Sequence, residues 1–463
     1  RLGVAIALVI LASGCSVKPE DLEKWKTTQK GPDKLTAVLL DDKYDADLRA
    51  VAAVALADIG EFAQWDMLEK SFKVIEEPQR SQIIDAIVPS VEKMMTEGTE
   101  PPSPPLQSQV SGKDLAHLVY PYSQGESKSK IEDLLVAWCV ADFNHRFFIG
   151  RKSIDIIIMD VGEKAAGPMV DLLGPDSEVY DKVTEYLDKI ATEEIQHKAG
   201  ATLIGRARQR MKNYDGKIDQ SLLVSLGRMG GPEVRAFLLE NAGKTDLPSQ
   251  TSRGSMMAYL QFEMWHKDDV ETLFAIAEST DQDYSVRNWS YDAIVATGDK
   301  ANKDRIARLL HTTSEDGSDK DRFRGVGVDE LLKLLGTEGI PFIIEEVIVE
   351  EDPWDDWLDL RDYVPVRLVQ GKDGKLLTGT ERKKALELLR PFLEHKESMA
   401  RGMVAYAIGL VGEKSDLEKL ESMKKDKAKL DDWKYTQGEE VVEHFPNVGS
   451  VAEWAVNKIN EGG

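Results

Sequence analysis

The sequence predicts an all-α chain, an α-solenoid of stacked helix pairs interrupted by one small inserted β-hairpin. Three observations predict it. An Arg, ten residues rich in Ala, Val, Ile and Leu, and then a Gly recur four times along the chain. Acidic residues precede two of these arginines, where a helix N-terminus favours negative charge. The glycines that end the apolar runs are spaced at multiples of roughly 33 to 38 residues, the length of one helix pair in a repeat array.

The four copies are Arg49-AVAAVALADI-Gly60, Arg151-KSIDIIIMDV-Gly162, Arg287-NWSYDAIVAT-Gly298 and Arg401-GMVAYAIGLV-Gly412. In the first, Leu48, Ala52, Ala55, Leu56 and Ile59 recur at three- and four-residue steps and form one apolar helix face. Asp45 and Asp47 precede Arg49, and Gly60 suits the left-handed position just past a helix end. Asp281 and Asp283 repeat that grammar before Arg287. Weaker copies end at Gly227 and Gly336. Second helices follow several stops, as in Ala166-GPMVDLL and Pro232-EVRAFLLE.

Two stretches break the pattern. Thr99-EPPSPP-Leu106 holds four prolines between 101 and 105, which no helix survives. Val364-PVRLVQ-Gly371-KDGK-Leu376-Leu377 places two apolar runs around Asp373-Gly374, a tight strand-turn signal, and predicts the hairpin. Thr380 can then cap the helix that follows.

The Asp-x-x-x-Arg start, the Ala-rich helix and the closing Gly resemble the HEAT-repeat family, including bacterial HEAT-like repeats first described in phycobilin lyases. The resemblance covers most of residues 35–460. It implies that Asp47, Arg49, Asp283, Arg287 and Arg401 serve the repeat turns as structural residues. It also implies a long surface suited to binding partners.

The N-terminal residues carry a second resemblance. Arg1 precedes an apolar run from Leu2 to Ala12, too short for the roughly 20 residues a membrane span needs. A basic start, a short apolar segment and small residues describe an export signal. Leu11-Ala12-Ser13-Gly14-Cys15 resembles the lipobox of bacterial lipoproteins, with its Leu one place early. The resemblance implies acylation of Cys15 and anchoring by two or more acyl chains. Ser16, in place of an Asp, favours the outer membrane.

These readings divide the chain into a signal peptide at 1–14, a lipid-anchored tether at 15–34 and N-terminal helical repeats at 35–98. A Pro-rich linker at 99–113, a HEAT-like solenoid at 114–352, an inserted acidic Trp-containing loop and hairpin at 353–380 and C-terminal helices at 381–463 follow.

A formal charge of −23 argues against nucleic acid, whose phosphates need clustered Lys and Arg. The acidic balance suits solubility and basic partners. Only two cysteines occur, and Cys139 sits in an apolar run as a small hydrophobe, so no disulfide framework is expected. No catalytic residue, metal ligand set or cofactor motif emerges. Gly243-Lys244-Thr245 lacks the first P-loop glycine because position 238 is Leu. The seven histidines show no ligand spacing, and Asp316-GSDK-Asp321 lacks the Gly and Glu of a calcium loop. The segment Glu345–Asp362 is dense in acids. Trp354 and Trp357 lie three apart, and with Asp355 and Asp356 they form the expected docking patch for a basic partner.

The expected function is therefore a membrane-anchored HEAT-repeat lipoprotein. It acts as a protein-binding scaffold at the cell envelope, held at the outer membrane through lipid on Cys15 and facing the periplasm. The alternatives are a fixed structural subunit of a larger envelope complex and an enzyme of lyase-like activity.

Overall fold

The computed structural model describes residues 17–101, 103–311, 320–348, 360–437 and 440–462. Helix dominates these residues, as the repeating apolar faces predict. The chain divides into two compact units. One runs to residue 209 and includes 228–234, and the other comprises 210–227 and 235 onward.

In the first unit, helix Gly31–Leu40 packs against helix Ala46–Ile59. The second helix starts at Asp45, whose carboxylate accepts the Leu48 N–H at 2.8 Å. It buries Ala50, Ala52, Ala53, Ala55, Leu56 and Ala57, and stops at Gly60 with φ 75°. Small side chains let the helices approach closely and still exclude water. Arg49 is 4% exposed and donates from Nε to the Leu39 carbonyl at 2.8 Å. That carbonyl lies in the last turn of the preceding helix, where carbonyls lack intrahelical donors.

The second unit repeats the device. Helix Val270–Ala277 packs against helix Tyr284–Ala296. Asp283 caps the latter by accepting the Ser285 N–H at 2.9 Å, Arg287 Nε donates to the Ala277 carbonyl at 2.9 Å, and Gly298 has φ 69°.

The other two copies depart from this pattern. Arg151 precedes its helix, Ile154–Val161, and its guanidinium lies over the rings of Phe62 and Trp65. Arg401 lies in the first turn of helix Ser398–Val411, pairs with Asp426 at 2.8 Å and donates to the His395 and Lys396 carbonyls. Gly227 is not a stop. It lies inside helix Gln220–Met229, where a Cβ would meet the Phe262 ring at 2.4 Å, and the chain turns at Gly230 and Gly231 instead.

The preceding helix ends at Thr96, before the proline stretch, and that stretch does not separate two bodies. Helix Gln107–Val119 begins inside the expected linker and packs against helix Gln79–Thr96 in the same unit. Buried Gln109 ties the loop down by accepting the Leu106 N–H at 2.8 Å and donating to the Thr99 carbonyl at 3.1 Å. Gly112 gives the close approach, since a Cβ there would stand 2.8 Å from Met94 Cβ.

The hairpin expected within 353–380 is replaced by a helix, Leu360–Leu368. Val364 and Leu368 bury one face against helix Lys320–Leu335. Tyr363 and Arg367, also four apart, both bind Asp329 at 2.8 and 2.7 Å. Those contacts need helical spacing, which outweighs the strand-like alternation. The turn itself forms as expected, with Gly374 at φ 72° and a single bridge between Gln370 and Leu376.

The antiparallel pair of this unit lies further on, among residues expected to be helical. Strand β1, Lys429–Gln437, pairs with strand β2, Glu440–Asn447, and Trp433 stands opposite Phe445. These two rings join Tyr406 and Trp454, which stack at 4.3 Å, in one buried aromatic cluster. Among the described residues no helix is long and apolar enough to cross a membrane.

Candidate functional site

Elements of the second unit line an open cavity of about 690 Å³, within the range of ligand pockets. Helix Tyr284–Ala296 contributes Asp292, Val295 and Ala296, and helix Lys320–Leu335 contributes Asp329, Leu332 and Lys333. The end of helix Leu360–Leu368 and the turn after it add Arg367, Leu368 and Lys372, with Leu377 and Glu381 beyond.

Two charge-balanced clusters stand on its walls. In one, Lys333 Nζ lies 2.7 Å from Asp292 and 2.5 Å from Glu330. Burial pulls the Lys333 ammonium down, and the two carboxylates more than reverse this, so it stays charged above its ordinary range. Glu330 is 2% exposed and sits behind the cavity surface. Its Oε2 meets no hydrogen-bond donor. Burial, and then the neighbouring Asp292 charge, push its carboxyl up to about 7. A proton on Glu330 answers both facts, because the protonated carboxyl can donate to Asp292.

In the other cluster, Asp329 accepts from Tyr363 Oη and Arg367 Nε, and Arg367 Nη1 donates to Gln370 Oε1 at 3.2 Å. Burial, then the hydrogen bond to Asp329, drive the Tyr363 hydroxyl well above its usual range. Between the clusters the lining is apolar: Val295, Ala296, Leu332, Leu368 and Leu377. An apolar group flanked by polar atoms of either sign fits such walls, because each wall offers both a cation and an anion.

No protein-family model matches this chain, and no curated protein is significantly similar to it.

Cys15, the expected lipidation site, and the expected patch of Trp354, Asp355, Asp356 and Trp357 lie outside the described residues. The start of the acidic segment is described, with Glu345 exposed and Glu346 half-buried, and both lie beside histidines. Glu346 Oε2 lies 2.9 Å from His311 Nε2, and Glu345 lies 3.8 Å from His395 Nε2. Cys139 is 1% exposed, and burial pushes its thiol up to about 12, so it packs as a small hydrophobe. Among the described residues no group of three or more His, Cys, Asp or Glu stands ready to hold a metal ion.

Sequence reasoning missed the cavity residues altogether. Asp292, Glu330, Lys333 and Arg367 come from three helices and look like ordinary surface charges in one dimension. The available signal was the i, i+3 pair Glu330 and Lys333 inside an apolar run.

Proposed function

We propose that this chain is a lipid-anchored, HEAT-like repeat protein that binds a protein partner at the cell envelope. Its second unit receives a partner's apolar side chain in the cavity between Asp292–Lys333 and Asp329–Arg367. The observation that carries the reading is that cavity, with an apolar floor and charges paired at 2.7 Å on its walls. Fixed charges around an apolar pocket favour one orientation of a bound segment, and a central pocket is where binding energy concentrates. The Arg-to-carbonyl device at Arg49 and Arg287 supports helix pairs of a common type in both units. The lipobox-like residues before Cys15 support anchoring at the outer membrane, facing the periplasm.

Glu330 stands behind Lys333 rather than on the cavity surface, so its raised carboxyl supports the wall and not a reaction. A photocrosslinking residue at Lys372, on the cavity rim, tests the reading in cells. The expected result is one specific protein adduct, abolished by Ala296→Trp, which fills the cavity. Cys15→Ala is expected to release the protein from membranes. An adduct indifferent to Ala296→Trp would dismiss the cavity as the docking point.

A further inference from the structure

The first unit carries two exposed phenyl rings, Phe62 beside the Arg151 guanidinium and Phe148 edge-on to Phe147 at 4.8 Å. Phe62 is 79% and Phe148 is 83% exposed, among the most exposed large apolar side chains described. Arg151 links them. Its guanidinium stands 5.3 Å from the Phe62 ring centroid, and it lies three residues beyond Phe148. Lys152, next in the chain, is exposed as well.

The loop bearing Phe148, Arg151 and Lys152 is rigidly built. Lys113 is 0% exposed, donates from Nζ to the Ile149 and Lys152 carbonyls at 2.9 Å each, and pairs with Asp114 at 2.6 Å. The Asp114 carboxylate accepts the Arg151 N–H at 2.9 and 3.0 Å. Gly150, at φ 87°, leaves room for the ammonium, since a Cβ would stand 2.4 Å from Lys113 Nζ. The N–H of Ile154 closes the loop on the Phe147 carbonyl at 2.9 Å. A buried ion pair is costly to desolvate. Here it fixes the backbone on which an exposed phenyl ring and two cations stand.

The occupant follows from where the chain enters this unit. Only three residues separate Cys15 from Pro19, the first residue of helix Pro19–Trp25, so the four steps between them span at most ~14 Å. That helix buries Leu22, and Lys26 just after it binds Asp58 at 2.6 Å. Asp58 lies four residues before Phe62. With acyl chains on Cys15, the start of this helix stays within ~14 Å of the anchoring cysteine, and the unit turns a face to the membrane.

We infer that the face bearing Phe62, Phe148, Arg151 and Lys152 rests in the headgroup layer of the membrane that holds the chain's own lipid. The inference rests on the reading of Cys15 as lipidated. Phenyl rings insert at the headgroup–acyl boundary as apolar groups, and Arg and Lys beside them meet lipid phosphates.

The test uses the full lipidated chain with Phe148→Cys carrying an environment-sensitive nitrobenzoxadiazole label, in phosphatidylethanolamine–phosphatidylglycerol vesicles. Acylated Cys15 and buried Cys139 do not compete for the label. The expected result is a blue-shifted emission, quenched severalfold by brominated lipid, with quenching reduced by adding Phe62→Ser and Arg151→Ser. Intact mass reports the acyl chains independently. A chain without acyl groups overturns the anchor and this inference together. An acylated chain whose label stays water-exposed overturns this inference alone. A label water-exposed on vesicles but shielded by a co-purifying protein assigns the face to that protein instead.

Discussion

Arg287 donates from Nε to the carbonyl oxygen of Ala277, ten residues earlier, at 2.9 Å. The bond joins the first turn of one helix to the last carbonyls of its predecessor, and Arg49 makes the same bond to Leu39 in the other unit. A cation at a helix C-terminus meets both unpaired carbonyls and the negative end of the helix dipole. Arg287→Ala and Arg49→Ala are each expected to lower stability by about 1–3 kcal/mol. Arg49, the more buried, should lie at the upper end. Urea denaturation of the two variants, followed by circular dichroism, measures this. Lys in place of Arg should restore only part, because an ammonium lacks the guanidinium's reach and fork.

Lys113 and Asp114 hold the loop at 149–152 through four bonds to its backbone. Lys113→Met leaves Asp114 buried without its cation, and breaking such a pair costs about 3–5 kcal/mol. Burial already pulls the Lys113 ammonium below its ordinary value. Limited trypsin digestion should cut the variant faster after Arg151 and Lys152 than the parent. Equal cleavage rates would mean that the loop is held by other contacts.

Glu330 has an ordinary carboxyl value of 4.5 and is pushed up to about 7 by burial and by Asp292. The folded chain therefore binds this proton more tightly than the unfolded chain. Its contribution to stability is fully present below about 4.5 and is lost as pH rises through about 7. The slope for one proton is at most about 1.4 kcal/mol per pH unit. Glu330→Gln should remove this fall between those two values, and denaturation at a series of pH values checks it. A parent profile already flat there would show that Glu330 is ionised throughout.

Trp433 is fully buried and meets Tyr406, Phe445 and, through them, Trp454. Trp433→Ala is expected to cost about 3–5 kcal/mol, from lost burial and the cavity left behind. Trp433→Phe should cost less. Calorimetry on both variants separates ring loss from a general defect.

The helix starts and stops were legible because they are local. Asp45 caps a backbone N–H three residues away, and Asp283 one two residues away. Gly60 and Gly298 take the left-handed conformation that ends their helices. Gly227 was misread because its use is not local. The Phe262 ring that excludes a Cβ there lies far along the chain.

By itself, the sequence determined that this chain is mainly helical and where several helices begin and end, while the resemblance to repeat proteins implied that Arg49 and Arg287 serve helix junctions. Each of these depends on groups within a few residues, or on a repeated spacing. The tertiary structure alone decided that Leu360–Leu368 is helical, because Asp329 on another helix rewards Tyr363 and Arg367 on one face. It alone paired β1 with β2 over an aromatic cluster, and brought Asp292, Glu330 and Lys333 together at a cavity wall. Most of these contacts join residues about a dozen to forty positions apart. Their energy comes from burial and charge pairing, which exist only once the helices have packed.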